Sequence, residues 1–84
     1  MVIQVNKTVR VAVIFAPGEA PRPIWFDWNR RKYQIAEITY RWQEQRGATT
    51  LHHYATAVDS NLYELIYDSN EQSWMLGAVD TEQR

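Results

Sequence analysis

The residues most able to do chemistry in this chain are two adjacent histidines, a scatter of carboxylates and a basic, aromatic stretch in the first half. His52 and His53 are the only histidines, and there is no cysteine. A metal site needs three or four convergent ligands. Neighbouring residues on a strand point to opposite faces, so this pair cannot close on one ion. Neither a metal site nor any cofactor is expected, and each ring should pack in the core or hydrogen-bond at the surface. Asp59, Glu64, Asp68, Glu71, Asp80 and Glu82 could supply a general acid and base. That work requires two carboxyls whose surroundings push their pKa values apart, ordinarily in a cleft. Most of these acids fall where turns are expected, and there a carboxylate caps backbone N–H groups. The chain has no G-x-S-x-G elbow, and its three glycines form no phosphate-cradling loop. No catalytic residue is assigned, and an enzyme is not expected.

The basic stretch is the stronger signal. Arg22, Arg30, Arg31, Lys32, Arg41 and Arg46 lie between positions 22 and 46, interleaved with Trp25, Trp28, Tyr40 and Trp42. Cations for phosphates and rings for bases are the ingredients of a single-strand nucleic-acid surface. The competing reading is that the rings fill the core and the long cations lie over their edges. Parity separates one ring from the rest: if Phe26 and Trp28 face inward, Trp25 faces out, beside a proline-rich loop. The candidate binding surface is therefore Trp25, Arg30, Arg31, Lys32 and Arg41.

The elements that would position these residues are strands. The chain has 84 residues, enough for one domain, residues 1–84. Four Trp and five Tyr are a heavy load for that length, and large rings are efficient core fillers in a small domain. Residues 8–15 alternate with β-branched residues and read as a strand; Val2 to Val5 reads as a short partner strand or loose arm, with Asn6-Lys7 a turn. Three prolines and a glycine make 16–23 a loop. Ile24 to Trp28 is a short strand, and Asn29-Arg30 a two-residue hairpin turn. Residues 32–43 allow a helix or a strand. The strand, bulged near Ala36-Glu37, is preferred, because that bulge would put Tyr33, Ile35, Ile38, Tyr40 and Trp42 on one side. After a polar loop at 44–48, strands are expected at 51–58, 62–67 and 73–79, with turns at 59–61 and 68–72 and a frayed tail at 81–84. The expected core includes Val11, Val13, Phe26, Trp28, Tyr33, Ile35, Ile38, Leu65 and Trp74. The fold class is all-β: one small domain of five to seven strands in a strongly bent antiparallel sheet or partly open barrel.

From Phe26 onward the chain resembles a family of small uncharacterised bacterial β-domains whose pattern runs F-x-W-x-G-R-x-Y-x-V-x-x-V-x-x-x-W, then Y-x-L-x-Y-D, then W-x-L. The matching residues are Phe26, Trp28, Arg31, Tyr33, Ile35, Ile38 and Trp42, then Tyr63-Glu64-Leu65-Ile66-Tyr67-Asp68 and Trp74-Met75-Leu76, with Val79-Asp80 at the usual ending. Arg30 stands where the family usually has glycine. The resemblance implies the fold and no activity. Some actinobacterial relatives are encoded near translesion polymerase genes, which implies a DNA-repair setting by association.

Net charge is −1, so no global field draws the chain to nucleic acid or membrane. The charge is uneven, with eight Lys/Arg against four acids in residues 1–46 and one against six in residues 47–84. The start shows no signal-peptide pattern, and the longest apolar run, residues 11–16, is too short to span a bilayer. A cytoplasmic protein without membrane contact is expected, monomeric or a weak homodimer. Its expected function is non-catalytic binding, with a protein partner first and single-stranded nucleic acid second. Trp25 and the arginines on one face would favour nucleic acid. A long unpaired strand edge with hydrophobic flanks would favour protein. A pocket with two buried carboxylates would revive an enzyme.

Overall fold

A computed structural model describes residues 1–81. It is all-β: β1 (Val2–Ile14), β2 (Arg22–Trp28), β3 (Arg31–Gln34), β4 (Glu37–Arg46), β5 (Thr49–Val58), β6 (Asn61–Asp68) and β7 (Ser73–Asp80). They form one seven-stranded sheet in the order β3-β2-β1-β7-β6-β5-β4, every pair antiparallel.

Two long segments bend the sheet on itself. In β1, residues 2–9 pair with β7 and residues 10–14 pair with β2. Residues 2–5 are thus neither a separate strand nor a loose arm. Asn6 does not turn the chain; it holds φ 53° where the β1–β7 register shifts, which is how a bulge absorbs one residue and coils a strand. β3 and β4 form the second such segment. The Ile35 N–H donates to Ile24 O on β2 (3.0 Å), and the next N–H, of Ala36, donates to Ala57 O on β5 (2.8 Å). Successive amides of an extended chain point to opposite sides, so the chain crosses from one part of the sheet to the other within one peptide. No β3–β4 ladder closes the barrel.

The helix alternative at 32–43 is absent, but the one bulged strand expected there is two strands, β3 and β4, broken at Ile35-Ala36 where the pairing partner changes; the break turns both Ile35 and Ile38 inward. A second register shift between Ile38 and Tyr40 was not expected. It leaves Thr39 as the extra residue, its hydroxyl donating to Ala55 O (3.1 Å), and reverses the facing of the rest of β4. Tyr40 and Trp42 therefore lie on the outer face, not with Ile38.

The turns obey backbone rules. Asn29 and Arg30 both hold positive φ (56° and 64°), as a type I′ hairpin requires. β4 extends to Arg46, so the polar loop expected at 44–48 shrinks to Gly47-Ala48, with Gly47 at φ 62°. The proline loop is Phe15–Pro21, shorter than 16–23 because β2 begins at Arg22. Inside it, the Glu19 N–H donates to Ala16 O (3.1 Å) and Gly18 holds φ 75°, a type II turn with Pro17 ahead of the glycine. Asp68 Oδ1 accepts from the Asn70 and Glu71 N–H groups (2.9 and 3.1 Å), the capping role expected of a turn carboxylate. Of the tail expected to fray, the Thr81 N–H donates to Met1 O (2.9 Å), and 82–84 lie outside the described residues.

The core fills one end of the curled sheet. Phe26, Leu65 and Leu76 are fully buried, with Tyr33, Tyr54, Tyr63, Val58 and Val79 nearly so. Phe26 stacks on Tyr33 (5.0 Å between centroids, 7° between planes), Tyr63 tilts against both, and Trp28 packs beside Tyr33. Buried Thr56 donates to Tyr63 O (2.8 Å). Of the expected core, Val11, Trp28, Ile35, Ile38 and Trp74 pack half-buried around this cluster, while Val13 sits at the other, open end.

Candidate functional site

The five residues expected to form one binding surface are spread over four places. Trp25 does face outward, opposite Phe26, but it is half-buried under two cations: Lys32 Nζ lies 4.5 Å and the Arg10 guanidinium carbon 5.6 Å from its ring. Arg10 is itself held by Asp27, its Nε donating at 2.8 Å. Arg31 alternates with Lys32 and covers Tyr33 on the inner side (4.9 Å). Arg30 stands at the hairpin tip. Arg41, on β4, lies over the Tyr54 ring (5.6 Å). Adjacent strand residues cannot share a face, so the Arg30-Arg31-Lys32 run does not form a continuous stripe.

A different surface is built on β4, an edge strand of ten residues. Tyr40 and Trp42 sit two apart on its outer face, ring against ring (5.4 Å), and both are exposed. Trp42 is also stacked on His53 of β5 (4.8 Å, 17°). His52 and His53 point to opposite faces, as alternation requires, and His53 is buried. Its Nδ1 lies 2.8 Å from Glu64 Oε2 and its Nε2 3.0 Å from Glu44 Oε1. Both carboxylates can accept at once only from a ring carrying two N–H groups. The carboxylates approach opposite ring nitrogens, so they cannot converge with the ring on one metal ion. Arg46 donates to Glu44 (2.8 Å), and these hydrogen bonds, Arg46 first and His53 second, hold the Glu44 carboxyl below its ordinary pKa. The clamp crosses β4, β5 and β6 and fixes the plane of Trp42. Glu64 works in mid-strand, within the strand expected at 62–67.

Sequence reasoning placed Tyr40 and Trp42 inside. No local signal corrects it: Arg41, Gln43 and Gln45 on the alternate parity are what a strand with Tyr40 and Trp42 inward would also show, and the reversal comes from the register shift against β5.

The open end of the sheet holds a basin of ≈460 Å³. Tyr54, Trp74, Tyr67 and His52, on β5, β6 and β7, make a continuous row of rings (5.4, 4.9 and 6.1 Å between successive centroids). Val11 and Val13 face them from β1, and Phe15 and Pro21 form the rim. The small valines opposite large rings leave the space unfilled. A side chamber of ≈280 Å³, bounded by Arg41, Trp42, Gln43 and His53, adjoins it across Pro21, His52 and Tyr54. Burial pushes the Tyr54 phenol above its ordinary pKa, against the pull of Arg41. Among the described residues no carboxylate lines the basin or this chamber.

Among the described residues no cluster of His, Cys, Asp or Glu is placed to hold a metal, and no helix is long and apolar enough to cross a membrane. No family model, curated protein or solved structure matches the chain.

Proposed function

We propose that this chain is a non-catalytic protein-interaction domain that takes an extended segment of a partner along the edge of β4. The observation that carries this reading is the exposed Tyr40–Trp42 pair on an unpaired edge strand of ten residues. An edge strand offers a row of free N–H and C=O groups, and an added strand gains affinity from that ladder. Rings on the flank then select the partner's alternate side chains. The His53 clamp supports the reading further, because Trp42 is already held in one orientation and little side-chain freedom is lost on docking. Aromatic residues are enriched among the anchors of protein interfaces.

Single-stranded nucleic acid ranks second. Its best support is Trp25 with Lys32 and Arg10, but those cations occupy the ring that a base would stack on.

The test is selection of linear peptides from a displayed random library, with a Tyr40→Lys/Trp42→Lys variant as counter-selection. Selected peptides are expected to shift amides of residues 37–46 and to lose at least about tenfold in affinity for Trp42→Lys. Peptides that bind both proteins alike, or that shift residues elsewhere, would overturn the proposal. Salt-sensitive shifts around Trp25 and Lys32 on adding mixed-sequence single-stranded DNA would move the assignment to nucleic acid.

A further inference from the structure

We infer that the open end of the sheet is a second, separate site, and that it takes a small planar aromatic acid. The basin's ≈460 Å³ lies within the range of small-molecule pockets, and the mouths of β-barrels are a common place for them. Its wall is a row of four rings on three neighbouring strands, with Tyr54–Trp74 and Tyr67–Trp74 tilted by 39° and 37°. Such a wall is complementary to another planar ring, by offset or tilted stacking. The valines opposite it leave a gap with apolar sides, and Tyr67, His52 and Trp74 remain only half-buried. The interior has therefore run out of side chains here, unlike the far end, where Phe26 and Leu65 are sealed.

Charge decides the class of ring. Arg41 is the cation bordering this region, reaching over Tyr54 from the side chamber, and it makes no ion pair among the described residues. With no carboxylate among the described residues lining either space, an anion there meets an arginine. A guanidinium recognises a carboxylate through two parallel N–H bonds. A ring seated against Tyr54, Tyr67 and Trp74 would carry its acidic group toward Arg41.

The site is distinct from the β4 edge. Tyr40 and Trp42 project from the outer face, whereas Arg41, between them, lies over Tyr54; Trp42 borders the side chamber, and Tyr40 lines neither space.

The experiment titrates the labelled protein with indole-3-acetate and, in parallel, with neutral indole, monitoring backbone amides. Saturable shifts are expected at Val11, Val13, His52, Tyr67 and Trp74, with the acid bound about tenfold more tightly than indole. Arg41→Gln, a change at an exposed residue that leaves the fold intact, should abolish that difference while indole binding is retained. Absence of saturable shifts with either compound would overturn the inference, as would shifts centred on Tyr40 and Trp42. An acid preference that survives Arg41→Gln would overturn it equally. Binding of the acid by Tyr40→Lys at unchanged affinity is the expected control, and its loss would show that the two sites are one.

Discussion

The chain has two phenylalanines, and they occupy opposite extremes: Phe26 is fully buried, while Phe15 is 76% exposed on the rim of the basin. Replacing each by alanine removes the same atoms from two environments. At Phe26 the loss combines transfer of a buried ring, the stack on Tyr33, the tilted contact with Tyr63 and a cavity in a packed end, together about 3–5 kcal/mol. At Phe15 only about a quarter of the residue is covered. Full burial of a Phe side chain is worth about 1.5–3 kcal/mol, so roughly 0.5 kcal/mol is at stake. For a domain of this size, whose total stability is on the order of 5–10 kcal/mol, the first change approaches unfolding and the second is nearly silent. Urea unfolding monitored by tryptophan fluorescence measures both, with an unchanged m-value as the sign that midpoints report stability. The thermal midpoint should fall by about 4–8 °C for each kcal/mol. If Phe26→Ala leaves too little folded protein, Phe26→Leu at about 1–2 kcal/mol replaces it. Equal losses at the two positions would refute the division into one sealed end and one open end, and with it the reason for a basin.

Local geometry sets two more outcomes. Arg30 holds φ 64° in a two-residue hairpin turn where glycine is the favoured residue, so Arg30→Gly should raise stability by about 0.5–1 kcal/mol in the same urea assay. A loss there would mean that the guanidinium contributes something the turn geometry does not reveal. Glu44 is held below its ordinary carboxyl pKa in the fold by Arg46 and His53. Its contribution is therefore complete above that ordinary value, 4.5, and is lost as pH falls from there through the lowered folded value. Urea midpoints taken downward from pH 6 should drop in that window for the wild type and less steeply for Glu44→Gln, whose side chain does not titrate. Parallel curves would show that the His53 clamp does not depend on this carboxylate's charge.

Much of the architecture is written in local pattern. Period-2 alternation, β-branched and aromatic residues, the Asn29-Arg30 turn and the Pro17-Gly18 loop each constrain only a few neighbouring residues, and they suffice for an all-β domain with its hairpins. The opposite facing of His52 and His53 and the outward turn of Trp25 come from strand parity alone. What lay beyond the sequence depends on which strands meet. The shift at Thr39 is set by pairing with β5, and it moves Tyr40 and Trp42 from core to surface. Glu44 and Glu64 are nine and eleven residues from His53, and the three come together only because β4, β5 and β6 are neighbours. The basin needs β1 valines opposite β5–β7 rings, a juxtaposition made by the curl of the whole sheet. Side-chain direction along a strand is a local property of the backbone and can be read from spacing. Register and curvature are settled by long-range hydrogen bonds and packing, so the faces and cavities on which function rests are fixed by the tertiary structure.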